Sequence, residues 1–182
     1  MRAALLALLL LTPVSFTITM AQDRVARTPA LNYDWRPGFV SMTDLTGALG
    51  LASTSSDMSA YYYGITTSAG YQFTRNLKAA AGAGVHIHDT GVLFPLFADF
   101  RLSMNAQQVV PFISGTGGIM LDFDNLQATR VFINPALGLR VVAASRRAVT
   151  LGTGLMITTG GMHQRKSFVN FRLGVELKGR SR

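Results

Sequence analysis

The chain has no cysteine. That excludes a disulfide scaffold, a thiolate nucleophile and every cysteine-based zinc site, so its 182 residues hold together by packing and pairing alone. Charge is scarce: Asp, Glu, Lys and Arg make up 14% of the residues, against about 25% in an ordinary soluble domain. Part of the outer surface is therefore expected not to meet water. Acidic residues are the rarer sign, 9 against 17 basic, for a net charge of +8. Such a balance favours anionic partners.

Long apolar runs are missing too. The purest, Ala3–Leu11, stops at nine residues, well short of the 18 or so that a spanning helix needs. It follows Arg2 and precedes Pro13 and a milder stretch ending at Ala21, the layout of a cleaved secretory signal peptide. Residues 1–21 are thus expected to be a leader and 22–37 a periplasmic lead segment. Losing Arg2 with the leader takes the net charge from +8 to +7. Without a cysteine after the cut there is no lipoprotein anchor. Export argues against nucleic acid as the anionic partner and for lipid headgroups.

What the chain does have is alternation. In "SFVNFRLGVELK", Val169, Phe171, Leu173, Val175 and Leu177 fall on one face of a strand, and Asn170, Arg172, Gly174, Glu176 and Lys178 on the other. The same two-residue period runs through "AYYYGITTSAGYQFT", "LKAAAGAGVHIH", "VLFPLFADFRLSM", "RVFINPALGLRVV" and "AVTLGTGLMIT", and more faintly through "GFVSMTDLTGALG" and "VVPFISGTGGIML". Turn signals separate these eight segments. The spacing predicts an all-β, eight-stranded, antiparallel up-and-down barrel over 38–178, with a short tail at 179–182.

Volume decides which face is inside. An eight-stranded barrel is only wide enough for its own side chains. The charged set is rich in small residues, among them Gly64, Gly82, Gly138, Gly152 and Gly174; the other set is bulky and apolar. The reading is greasy outside and charged inside, which is the pattern of a transmembrane barrel. Asp44, Asp99, Arg101, Arg140, Arg172 and Glu176 are then expected to share the lumen as a charge network. Asp99 or Glu176 should pair with Arg140 or Arg172, since unpaired buried charge is costly. Tyr61 and Tyr63 at one end of the second strand, with Tyr71 and Phe73 at the other, are expected to be interfacial aromatic girdles. Tyr33 and Trp35 are expected to extend the periplasmic one.

The texture of these segments resembles a known family. "YGITTSAGYQFTRNLKAAAGAGVHIH", "FPLFADFRLSM", "VFINPALGLRV", "VTLGTGLMIT" and "FVNFRLGVEL" are similar, in order and in kind, to the strands of the outer-membrane β-barrel domain proteins of Gram-negative bacteria. One departure is the ending "ELKGRSR", where such barrels often close on an aromatic residue. The resemblance implies the barrel fold and an outer-membrane location, no shared enzymatic activity and only a loosely defined role. Outer-membrane lipid including lipopolysaccharide and the barrel-assembly machinery are the expected partners, an unidentified protein met through the loops is a possible further one, and no cofactor is expected.

Few residues suggest chemistry. His86 and His88 share a face, with Asp89 beside them and His163 in a later loop. That is a spacing open to a transition metal, but no third ligand is fixed, so no metal is assigned. No phosphate loop or nucleophile elbow is present. A lipid-acting barrel enzyme, pairing His88 or His163 with Ser167, stands as one alternative. A secreted lipocalin-like barrel for a small apolar ligand stands as another. Arg165 and Lys166 on one side, and Arg146 and Arg147 on the other, read as solvated turns or as contacts to lipid phosphates.

Overall fold

A computed structural model describes residues 33–51, 60–89, 91–106, 108–123, 129–159 and 166–179. Eight strands run in chain order: β1 (Gly38–Gly50), β2 (Tyr61–Gln72), β3 (Leu77–His88), β4 (Gly91–Ser103), β5 (Val109–Leu121), β6 (Arg130–Ala144), β7 (Arg147–Thr159) and β8 (Lys166–Lys178). Each pairs antiparallel with its neighbours, and β8 returns to β1, so the sheet closes into a barrel with no open edge. Closure gives the backbone N–H and C=O groups of every strand a partner on both sides. In a hydrocarbon solvent, which offers no hydrogen bonds, a sheet has no other way to achieve this.

The period-2 pattern fixes the register. Leu45 of β1 lies opposite Leu173 of β8 and Ile65 of β2, so bulky residues meet on the outer face. Asp44, one residue earlier, lies opposite Gly174 and Thr66 on the inner face. A one-residue slip would exchange the two faces entirely. The turns are local. Thr74 Oγ1 accepts from the backbone N–H groups of Asn76 and Leu77 to close the β2–β3 turn. Gly91, at φ 144°, enters β4 in a backbone conformation that disfavours a side chain. The β6–β7 ladder shifts register between Val142 and Ala144. The start of β1 and the end of β8 share one end of the barrel, the terminal end, where Gly179 N–H donates to Phe39 C=O at 2.9 Å. The opposite end is the loop end.

The outer face carries Phe39, Leu45, Ile65, Phe100, Leu137, Phe171 and Leu173, all about half exposed. The lumen carries the charged and hydroxyl residues together with a second set that composition did not announce. Tyr62, Leu93, Met120, Phe132, Met156 and Phe168 form an apolar cluster towards the loop end, with Phe97 packed against it. Inward glycines make room for two of the lumen rings. A Cβ on Gly82 would sit 2.7 Å from the Phe97 ring, and one on Gly138 would sit 2.6 Å from Phe112. The lumen is therefore not a purely small and polar tube. Phe97 and Phe112 each lie over a glycine of an adjacent strand, which is how a narrow barrel accommodates them.

Some expectations fall outside the described residues: the leader at 1–21, most of the lead segment, the loop tips at 53–59, 124–128 and 160–165, His163 and Arg165.

Candidate functional site

The lumen holds two ionic layers. At the terminal end, Glu176 is the hub. Lys78 Nζ lies 2.6 Å and 2.7 Å from its two carboxylate oxygens, and Arg140 Nη2 lies 2.8 Å from Oε1. The Tyr33 hydroxyl donates to the same oxygen at 2.7 Å. Arg140 and Glu176 are each about 1% exposed. The Arg140 guanidinium lies over the Tyr33 ring at 4.1 Å and near that of Trp35 at 5.1 Å, where the ring faces supply negative potential to a group whose Nε and Nη1 have no hydrogen-bond partner among the described residues.

One layer deeper, Arg101 bridges two carboxylates. Its Nε reaches Asp99 at 2.7 Å and its Nη2 reaches Asp44 at 3.0 Å. Thr116 Oγ1 donates to Asp99 at 2.6 Å. Arg172 stands opposite and donates to hydroxyls, Thr116 Oγ1 at 3.4 Å and Ser114 Oγ at 3.2 Å. Above it Asn170 donates to Asn134 at 3.0 Å. The cavity left among these side chains measures about 30 Å³, the volume of a single water or small ion.

All six expected charges thus face the lumen, in two groups. Asp44, Asp99 and Arg101 form one, with Arg172 against its hydroxyls; Arg140 and Glu176 belong to the other. Glu176 meets Arg140 as anticipated. Asp99 instead pairs with Arg101, two residues away on its own strand, because the long guanidinium arm folds back along the wall. Arg172 departs from expectation: among the described residues it has no carboxylate within ion-pair distance. Arg101 already occupies both nearby Asp residues and leaves Arg172 the hydroxyl groups.

Lys78 is the member sequence reasoning passed over, although it shares the polar face of β3 with Ala80, Gly82 and His86. Tyr33 is a larger correction. The expected girdle position is wrong for it: Tyr33 is 4% exposed and plugs the terminal mouth of the lumen, packed on Val142 and Ala148, with Trp35 against it. Its neighbours tie the strap down. Asp34 N–H donates to Ser145 C=O at 2.9 Å, Gln72 Nε2 donates to Trp35 C=O at 3.0 Å, and Lys178 Nζ donates to the carbonyls of Asp34 and Arg36. Burial, reinforced by the charge of Glu176, holds the Tyr33 phenol well above its ordinary pKa of 10.0. The Arg36 hydrogen bond holds Asp34 below the usual carboxylate value.

The four girdle candidates all face outward. Tyr61 and Tyr63 lie at the loop end, and Tyr71 packs edge-on against Phe73 at the terminal end, 5.4 Å between ring centroids. His86 and His88 point inward, and Asp89 accepts from Ala60 N–H at 2.8 Å. Ser167 sits on the outer face of β8, so it does not meet His88. Lys166 is not a solvated turn residue: it is buried on the lumen side of β8. Arg146 and Arg147 are exposed at the β6–β7 turn.

No family model matches the chain, and no curated protein sequence does. Solved structures do. The crystal structure of Neisserial surface protein A (NspA) superposes with a TM-score of 0.63 at 16% identity, covering 79% of this chain and 99% of that one. A de novo designed transmembrane β-barrel superposes with a TM-score of 0.50 at 14% identity, covering 79% and 98%. An apolar outside, an ion-paired inside and these neighbours together establish the fold: an eight-stranded antiparallel transmembrane β-barrel.

Proposed function

We propose that the chain is an integral outer-membrane protein of a Gram-negative bacterium, with a filled lumen, no catalysis, and a structural or interaction role exercised through its surface loops. One observation carries the reading: a continuous apolar outer face encloses a lumen whose buried carboxylates are all ion-paired. A soluble ligand-binding barrel needs the reverse arrangement. Lipid, including lipopolysaccharide, surrounds the barrel in this reading; the assembly machinery inserts it, and any protein partner meets the loop end. The terminal end is periplasmic. Two measurements test this. Detergent-extracted protein should migrate differently before and after boiling, and in a planar bilayer it should carry little steady current, because eight strands leave no wide channel. Recovery in the soluble fraction, or sustained large single-channel currents, would refute it. Orientation is testable because the chain has no native cysteine. On intact cells a membrane-impermeant thiol reagent should label Phe123→Cys and spare Asn105→Cys; the opposite pattern inverts the proposal.

A further inference from the structure

The basic excess of the sequence is not spread evenly over the barrel. At the terminal end Arg36, Arg75, Arg146 and Arg147 are all exposed. Among the described residues Asp34 is the only carboxylate outside the lumen at that end. Arg36 Nε holds it at 3.1 Å, while the Arg36 side chain stays 73% exposed. The loop end is balanced by comparison: among the described residues Asp89 and Asp122 stand against Arg130 and Lys166. The terminal rim therefore presents a field of one sign, and such a field selects an anionic partner.

The strap that closes the mouth ties the turns carrying these arginines to one another. Asp34 N–H donates to the C=O of Ser145, next to Arg146, at 2.9 Å, and Arg146 C=O accepts from Lys178 N–H at 2.9 Å. Arg75 lies over the Trp35 ring at 4.7 Å and donates to Ala106 C=O at 3.2 Å. Arg146 and Arg147 make no ion pair among the described residues. Arg147 shares the outer face of β7 with Leu151 and lies opposite Leu177 of β8. Phe39, Phe73 and Leu77 face outward at the same end. Apolar and aromatic side chains that give way to guanidinium groups mark the depth at which hydrocarbon gives way to headgroups. There the planar fork of arginine matches a phosphate with two hydrogen bonds. A soluble polyanion would have no use for an arginine on the lipid-facing side of a strand, so Arg147 points to lipid as the source of the phosphate.

We propose that this basic collar binds the headgroups of anionic phospholipid in the leaflet at the terminal end, with Arg146 and Arg147 as its principal contacts, an inference that rests on the outer-membrane reading above. The test reconstitutes the full-length folded protein in phosphatidylcholine vesicles containing either spin-labelled phosphatidylglycerol or spin-labelled phosphatidylcholine. Electron spin resonance then reads the share of each lipid held motionally restricted at the barrel. A preference for phosphatidylglycerol of about fivefold is expected. Arg146→Gln with Arg147→Gln should bring the ratio close to one, whereas Arg146→Lys with Arg147→Lys, which keeps the charge, should retain most of it. Arg130→Gln, at the loop end, should leave it unchanged. Heat-modifiable migration verifies that each variant is folded and inserted. Should the double glutamine variant not insert, each single substitution should lower the ratio about twofold. Insertion of the wild type with a ratio near one overturns this proposal alone, as does an unchanged ratio in the glutamine variants or a loss of preference in Arg130→Gln. Failure of the wild type to insert overturns the outer-membrane reading and this one with it.

Discussion

Tyr33 and Glu176, 143 positions apart, meet at the terminal mouth of the barrel, where the phenol donates to a carboxylate oxygen at 2.7 Å. The contact joins the segment before β1 to the last turn of β8 and converts an open rim into a closed one. Because the raised Tyr33 pKa favours the neutral phenol in the folded state, the strap's contribution is fully present below the ordinary tyrosine pKa of 10.0. It is lost as pH rises above that value towards the folded pKa. Trp35 is the only tryptophan and packs beside Tyr33. Its fluorescence should therefore shift towards that of an exposed indole above about pH 10 in the wild type. In Tyr33→Phe that alkaline transition should shrink; an identical transition in both would show that another group releases the strap.

The hub at Glu176 should be the most sensitive single position. Glu176→Leu leaves Lys78 and Arg140 buried without a carboxylate, and breaking a buried pair in this way costs about 3–5 kcal/mol. Urea unfolding in lipid vesicles reads this directly. A loss below about 1 kcal/mol, the scale of an exposed ion pair, would mean that water reaches the site.

The two arginines of the deeper layer should differ. Arg101→Leu strands Asp44 and Asp99 and is expected to cost as much as Glu176→Leu, about 3–5 kcal/mol. Arg172→Leu frees only the hydroxyls of Thr116 and Ser114, for about 1–3 kcal/mol. If the same unfolding assay ranked them in the opposite order, Arg172 and not Arg101 would be the partner of the two aspartates.

Inside and outside are tested by neighbours in β8. Leu173→Arg places a charge on the outer face and should cost about 2–4 kcal/mol near the bilayer midplane. Gly174→Leu should also be damaging, since even a Cβ there would lie 1.8 Å from Asp44 Oδ1 and 2.6 Å from Thr150 Oγ1. Tolerance of both substitutions would overturn the assignment of the two faces.

Period-2 alternation was legible along the chain because a strand shows its side chains to opposite faces by geometry alone. The parity that puts Asp44, Arg101 and Glu176 on one face follows from it, the turn signals between segments add the strand count, and the shortness of the connections adds the antiparallel order. The glycines on the polar face identified that face as the crowded one. Partner choice within the lumen was not legible, because it depends on how far each strand is staggered around the barrel and on the reach of flexible arms. Arg101 turns back to Asp99 on its own strand, Lys78 reaches Glu176 from β3, and Arg172 is left with hydroxyls. Nor could the alternation speak for Tyr33 and Trp35, which precede the first strand and carry no period. Only the closed barrel provides the mouth they fill, with Arg140 and Glu176 brought there from β6 and β8. The same holds for Met156, which nothing in the sequence ties to Tyr62. The two meet because β2 and β7 face each other across a lumen narrow enough for the Tyr62 hydroxyl to reach the Met156 sulfur.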